Sequence, residues 1–193
     1  MKRFVNLPPG SRSRRLNGHD HTRGTYFITT RTFRGEHLFG GVERGRMHVN
    51  EFGQVVVDEW CRTGELRSNV TLDAFIVMPD HVHGILCITR SDSADEAKSE
   101  GSRKARLATT RAETNSEMPP GLEKRRPGTL STIVGAFKAA VTRRINRLRN
   151  SQGDAVWQPS FYDRIIRTER ALFAVRRYIR TNPERWHRGR FYS

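Results

Sequence analysis

Two histidines one residue apart, His81-Val82-His83, carry the most chemistry in their spacing. On a β-strand, residues i and i+2 project from one face, so both imidazoles can reach one metal ion. With 7 His in 193 residues, about 0.25 such triplets are expected by chance. A second triplet, His19-Asp20-His21, lies in a Gly-rich polar stretch with nothing rigid around it, and ligands need preorganised support. His81 and His83 instead open an apolar stretch behind Pro79-Asp80. A satisfied, buried core pair is the ordinary alternative for them. Tyr178 and Asn182 form a second constellation. Four residues apart, they are expected to share a helix face, where a phenol and an amide carbonyl can approach the histidines together. Their ordinary roles are packing beside Leu172 and Val175 for Tyr178, and a helix C-cap before Pro183 for Asn182. Tyr162 is the rival phenol; Tyr26 reads as core and Tyr192 lies near the end of the chain.

The elements that must position these residues follow from periodicity. Thr25 to Thr32 is β-branched and aromatic and predicts a strand. Leu38 to Asn50, with Gly40-Gly41 and Arg44-Gly45-Arg46, predicts a hairpin. Glu51 to Thr63 places Phe52, Val55, Val56 and Trp60 at helical spacing, with Gly64 as the expected stop. Val70 to Met78 and His81 to Thr89 flank Pro79-Asp80 and predict a hairpin of two largely buried strands. After Pro127-Gly128-Thr129, the spacing of Ile133, Val134, Phe137, Val141, Ile145 and Leu148 predicts an amphipathic helix. Lys138, Arg143, Arg144 and Arg147 are expected on its basic exposed face. Val156 to Arg167 reads as a loop and a short strand. Thr168 is the expected N-cap of a last helix with Leu172, Val175 and Ile179 inward, ending at Asn182-Pro183.

Charge narrows the partners. The chain has 35 Lys+Arg against 20 Asp+Glu, a net +15. An excess of this size, rich in Arg, points to a polyanion and most simply to nucleic acid. The apolar run Phe75-Ile76-Val77-Met78 is far short of the ~18 residues of a membrane span. The N-terminal residues lack an apolar signal region. Two cysteines, Cys61 and Cys87, cannot build a disulfide scaffold, so a reduced, cytoplasmic setting is expected.

The segment Phe75-Ile76-Val77-Met78-Pro79-Asp80-His81-Val82-His83-Gly84-Ile85-Leu86 resembles the His-hydrophobe-His segment of single-tyrosine (HUH) transposases, closest to the REP-associated tyrosine transposases and their insertion-sequence relatives. Gly24 to Thr29 looks like their first strand, and Gly128 to Arg149 like the helix after the histidine strand. Val156-Trp157-Gln158 through Asp163 resembles their Trp-Gln…Tyr segment, and Tyr178-Ile179-Arg180-Thr181-Asn182-Pro183 their Tyr-Ile-x-x-Asn-Pro motif. The resemblance spans nearly all of residues 20–187 except 90–126. One departure is Asp80, where the family usually carries Asn before the first histidine.

The resemblance implies an α+β fold: a ferredoxin-like antiparallel sheet with helices mainly on one face. The central strands would be those around Tyr26, Ile76 and His83. It implies Tyr178 as nucleophile, His81, His83 and Asn182 as ligands of Mg²⁺ or Mn²⁺, and single-stranded DNA beside a hairpin as substrate. The reaction would be strand transfer through a 5′-phosphotyrosine. Candidate contacts to the DNA backbone are Arg143, Arg144, Arg147, Arg164, Arg167, Arg176 and Arg177. The expected organisation is a basic N-terminal arm over 1–24, one domain over 25–89 and 127–187, and a charged, disordered insertion over 90–126. A monomer or homodimer is expected. Competing readings are a hairpin-binding protein without catalysis, a nuclease for replication or relaxation, and a metal-dependent phosphoesterase that needs no tyrosine.

Overall fold

Alternation of apolar residues builds the central strand pair. The computed structural model describes residues 21–89 and 128–186. Strand β1 (Gly24–Arg31) and strand β5 (His81–Ile88) pair antiparallel at the centre of a four-stranded sheet. Strand β4 (Val70–Met78) flanks β5, and β6 (Tyr162–Ile166) flanks β1, giving the order β4-β5-β1-β6. A separate hairpin, β2 (Gly40–Glu43) and β3 (Arg46–Val49), turns at Arg44-Gly45 and leads into helix α1 (Glu51–Glu65). Helix α2 (Leu130–Leu148) precedes β6; helix α3 (Glu169–Arg180) and the short α4 (Asn182–Arg185) follow it.

The two faces of the sheet bury different helices. Tyr26, Ile28, Val82 and Leu86 point to one face and pack on Val55, Val56 and Trp60 of α1 and Val134, Phe137 and Val141 of α2. Phe27 and Ile85 point to the other, against Val175 and Ile179 of α3. The α+β architecture with an antiparallel sheet is therefore as expected, and two of the three longer helices share one face. Strand β5 reads as a continuous apolar run because both its faces are covered.

Three local expectations are corrected. Strand β4, around Ile76, is an edge of this sheet rather than a central strand. Gly64 does not stop α1, which runs on to Glu65; a Cβ there would lie 3.1 Å from the Leu72 side chain, so the position serves close approach to β4. Asn182 does not cap α3: Thr181 does, and Asn182 begins α4. The caps Asn50, Thr129 and Thr168 each accept a backbone N–H of the first turn, as their side chains favour. Residues 1–20 of the expected arm, the insertion expected over 90–126, His19 and Tyr192 lie outside the described residues. Among the described residues, no helix is long and apolar enough to cross a membrane.

Candidate active site

The histidines face α3 because Val82, between them, faces the main core. Gly84 extends that packing: a Cβ there would lie 2.5 Å from the Trp60 ring, so only glycine lets the indole close on the back of β5. In front, the His81 and His83 rings are 4.5 Å apart between centroids, and both are buried. The turn ahead of them is pinned just past β1, where Thr32 donates its backbone N–H to the Asp80 carbonyl (2.8 Å) and shares its hydroxyl hydrogen between the Glu36 (2.7 Å) and Asp80 (3.0 Å) carbonyls.

Both rings are oriented through Nδ1. The Asp80 carboxylate lies 2.5 Å from His81 Nδ1. An ionised carboxylate only accepts, so Nδ1 carries the hydrogen and Nε2 presents its lone pair in the neutral ring. Arg31 donates to the other Asp80 oxygen at 3.2 Å. Burial pushes the Asp80 carboxyl up, but His81 and Arg31 outweigh it and hold it below the usual value. Thr29 Oγ1 lies 2.8 Å from His83 Nδ1. Burial, with the charges of His81 and Arg31, holds His83 well below its usual pKa, hence neutral. If Nδ1 donates to Thr29, then Nε2 is an acceptor, as at His81; the reverse tautomer would point a hydrogen from Nε2.

Helix α3 brings the phenol. Tyr178 Oη is 3.3 Å from His83 Nε2, and its ring stands edge-on to Phe27 at 6.1 Å. A bulge in β4 between Leu72 and Phe75 lets Asp73 take a two-oxygen grip on Arg176, clamping α3 to the sheet. Burial raises the Tyr178 pKa, while a hydrogen bond with Asn182 and the charges of Arg185 and Arg31 oppose it. Tyr178, on α3, and Asn182, the first residue of α4, lie on different helices. Tyr162 shares the face and pairs with Thr29, its ring 6.5 Å from Phe27.

The arrangement fits a divalent cation in its donor chemistry. Two imidazoles oriented through Nδ1 offer neutral nitrogen donors, and an amide oxygen beside them would complete an N/O set suited to Mn²⁺ and compatible with Mg²⁺. No cluster of three His, Cys, Asp or Glu occurs among the described residues. With the hydrogen on Nδ1, His83 Nε2 has one lone pair and can serve the phenol or a cation, not both.

The candidate arginines separate. Arg143 and Arg147 are exposed on α2, which packs on the sheet face opposite the histidines. Arg144 is held by Asp58 and the buried Glu59 of α1, and Arg176 by Asp73. Arg164, Arg167 and Arg177 are exposed, with Arg177 on the Tyr178 helix. Lys138, expected on the exposed face, turns inward to donate to the carbonyls of Gln158, Pro159 and Ser160; burial pushes its amine down to about 8. Sequence reasoning missed Thr29, Arg31 and Trp186, whose ring lies 5.7 Å from His81. The histidine-strand register would have pointed to Thr29 and Arg31, which pair with His83 and His81.

The fold is that of a REP-associated tyrosine transposase solved bound to a REP hairpin: the TM-score is 0.51 at 15% identity, covering 86% of this chain and 71% of the other. A putative transposase from Deinococcus radiodurans gives a TM-score of 0.39 at 17% identity, covering 84% of this chain and 92% of the other. In sequence, the chain is 31% identical over 182 residues to an uncharacterized protein of Haemophilus influenzae, covering 94% of this chain and 92% of that protein. The chain belongs to one family with that protein. No family model matches it.

Proposed function

We propose that this protein is a divalent-metal-dependent endonuclease and strand transferase for single-stranded DNA beside a hairpin, with Tyr178 as its nucleophile. The observation that carries the reading is the Tyr178 phenol 3.3 Å from a histidine of an oriented, buried pair. The transposase-like fold and the net charge of +15 support it.

Tyr178 Oη attacks a scissile phosphorus. The Oη–P bond forms and the P–O3′ bond breaks; the phenolic proton passes to solvent water, and the leaving 3′ oxygen takes a proton from solvent to become a 3′-hydroxyl. The phosphotyrosine keeps a phosphodiester, so a 3′-hydroxyl can later reverse the step and rejoin DNA without another energy source. A free phenol has a pKa near ~10, and burial raises this one, so it needs activation. His81 and His83 would hold the cation through Nε2, with the Asn182 amide oxygen as third donor. Bound there, Mn²⁺ or Mg²⁺ supplies Lewis acidity toward the phosphate. Asp80 and Thr29 keep the two rings turned, and Arg31 and Arg185 place positive charge near the ionising phenol. Phe27 packs against the Tyr178 ring and limits its freedom.

The test is a denaturing gel with labelled hairpin-flanked single-stranded DNA and Mn²⁺ or Mg²⁺. Wild type is expected to give a metal-dependent protein–DNA adduct, and Tyr178→Phe none. Cleavage surviving in Tyr178→Phe would assign the attack to Tyr162 or water and overturn this mechanism. Binding without cleavage across many hairpins would leave a binding protein.

A further inference from the structure

We propose that the outward face of α3 is a stacking platform for unpaired bases, with Phe173 as the ring that stacks and Arg170, Arg177 and Arg180 as contacts to the phosphates around it. This rests on the reading of Tyr178 as a nucleophile toward single-stranded DNA, and it names a further surface of the same helix that holds the strand.

Phe173 is 61% exposed, and the other exposed large hydrophobics among the described residues, Val49, Leu66 and Leu148, are aliphatic. It belongs to neither core cluster; Leu172, Val175 and Ile179 make the inner stripe of α3. At about 100° per residue, Arg180, Arg177 and Arg170 fall within about 60° of Phe173 around the helix. Arg176 borders them but is held by Asp73. The other three are exposed and make no ion pair among the described residues.

One exposed ring among free guanidinium groups matches unpaired nucleic acid. Every base offers a π-face, and every nucleotide a negative charge. A protein interface would need a wider apolar patch. A lipid surface would need the apolar stripe of α3, which is buried against the sheet. Phe173 lies five residues before Tyr178, about 7.5 Å along the helix axis and about 140° around it, so the platform and the phenol face different sides of α3, and a strand that meets both passes round the helix.

The experiment uses the full chain and a fluorescein-labelled oligothymidylate, read by anisotropy, with the adduct gel run in parallel. Phe173→Ala is expected to bind about 10-fold or more weakly, with an unchanged melting temperature because the ring is outside the core. Phe173→Trp is expected to keep the affinity, and its added indole emission, relative to wild type, to be quenched by the oligonucleotide. Phe173→Ala binding within about twofold of wild type would overturn the platform, while an adduct in wild type would keep the Tyr178 reading intact. Weakened Ala binding with neither rescue nor quenching by Trp would overturn stacking. A wild type that binds no single strand and forms no adduct would remove both proposals.

Discussion

At the residue scale, Asp80 shows how a departure from a familiar pattern fits the site. The family it resembles usually carries Asn there; here a carboxylate bridges His81 Nδ1 and Arg31. The carboxylate orients the ring and makes Nε2 the available donor. An Asn side chain keeps a carbonyl that can accept the same N–H, whereas Ala removes the acceptor. Asp80→Ala is therefore expected to weaken Mn²⁺ binding about 10- to 100-fold, and Asp80→Asn much less. Isothermal titration with Mn²⁺ alone reads this without DNA; equal affinities for wild type and Asp80→Ala would show that Asp80 does not orient the ligand.

At the scale of elements, β5 is a strand used on both sides. Its back is packed by Trp60, which stacks on Phe75 at 4.7 Å and closes over Gly84. Its front carries the histidines. Gly84→Ala puts a methyl 2.5 Å from Trp60, and overpacking of this kind destabilises by about 1–3 kcal/mol. Urea unfolding is expected to show that loss as a lower midpoint with an unchanged slope; an unchanged midpoint would mean that Trp60 moves freely. Lys138 does similar work beside the end of β1, where Gln158 bonds Arg31 and the three carbonyl bonds of Lys138 tie the segment before β6 to α2.

At the scale of the whole molecule, ion pairs join α1 to α2 and α3 to the sheet. A hydrogen bond from Gln54 and the Arg144 guanidinium hold the Asp58 carboxyl below 3.8. Hydrogen bonds from Arg176 and the Ala74 N–H do the same for Asp73. Folded-state values lower than unfolded ones mean that the unfolded chain binds more protons in this range. The stability these groups contribute is present above pH 3.8 and lost as pH falls through their lower folded values. The melting temperature is therefore expected to fall as pH drops below about 4. The Asp58→Asn, Asp73→Asn double variant should start lower at neutral pH and fall less steeply. Parallel curves for the two proteins would remove these carboxylates as the cause.

Apolar and polar periodicity is a property of neighbours along the chain, so the sequence determined most elements: the strands around Tyr26, Ile76 and His83, the three longer helices, and the cap Thr168. The one-face placement of His81 and His83 follows from the strand period alone. What depended on distant partners was decided by the tertiary structure. Tyr178 meets His83 across 95 residues, Arg31 meets Asp80 across 49, and Arg176 meets Asp73 across 103. Periodicity carries no record of such pairs. Arg144, Arg176 and Lys138 read as free surface cations until the fold supplied their carboxylates and carbonyls. The exposure of the Phe173 ring was likewise decided by the fold, which turned Leu172, Val175 and Ile179 inward and left it outside.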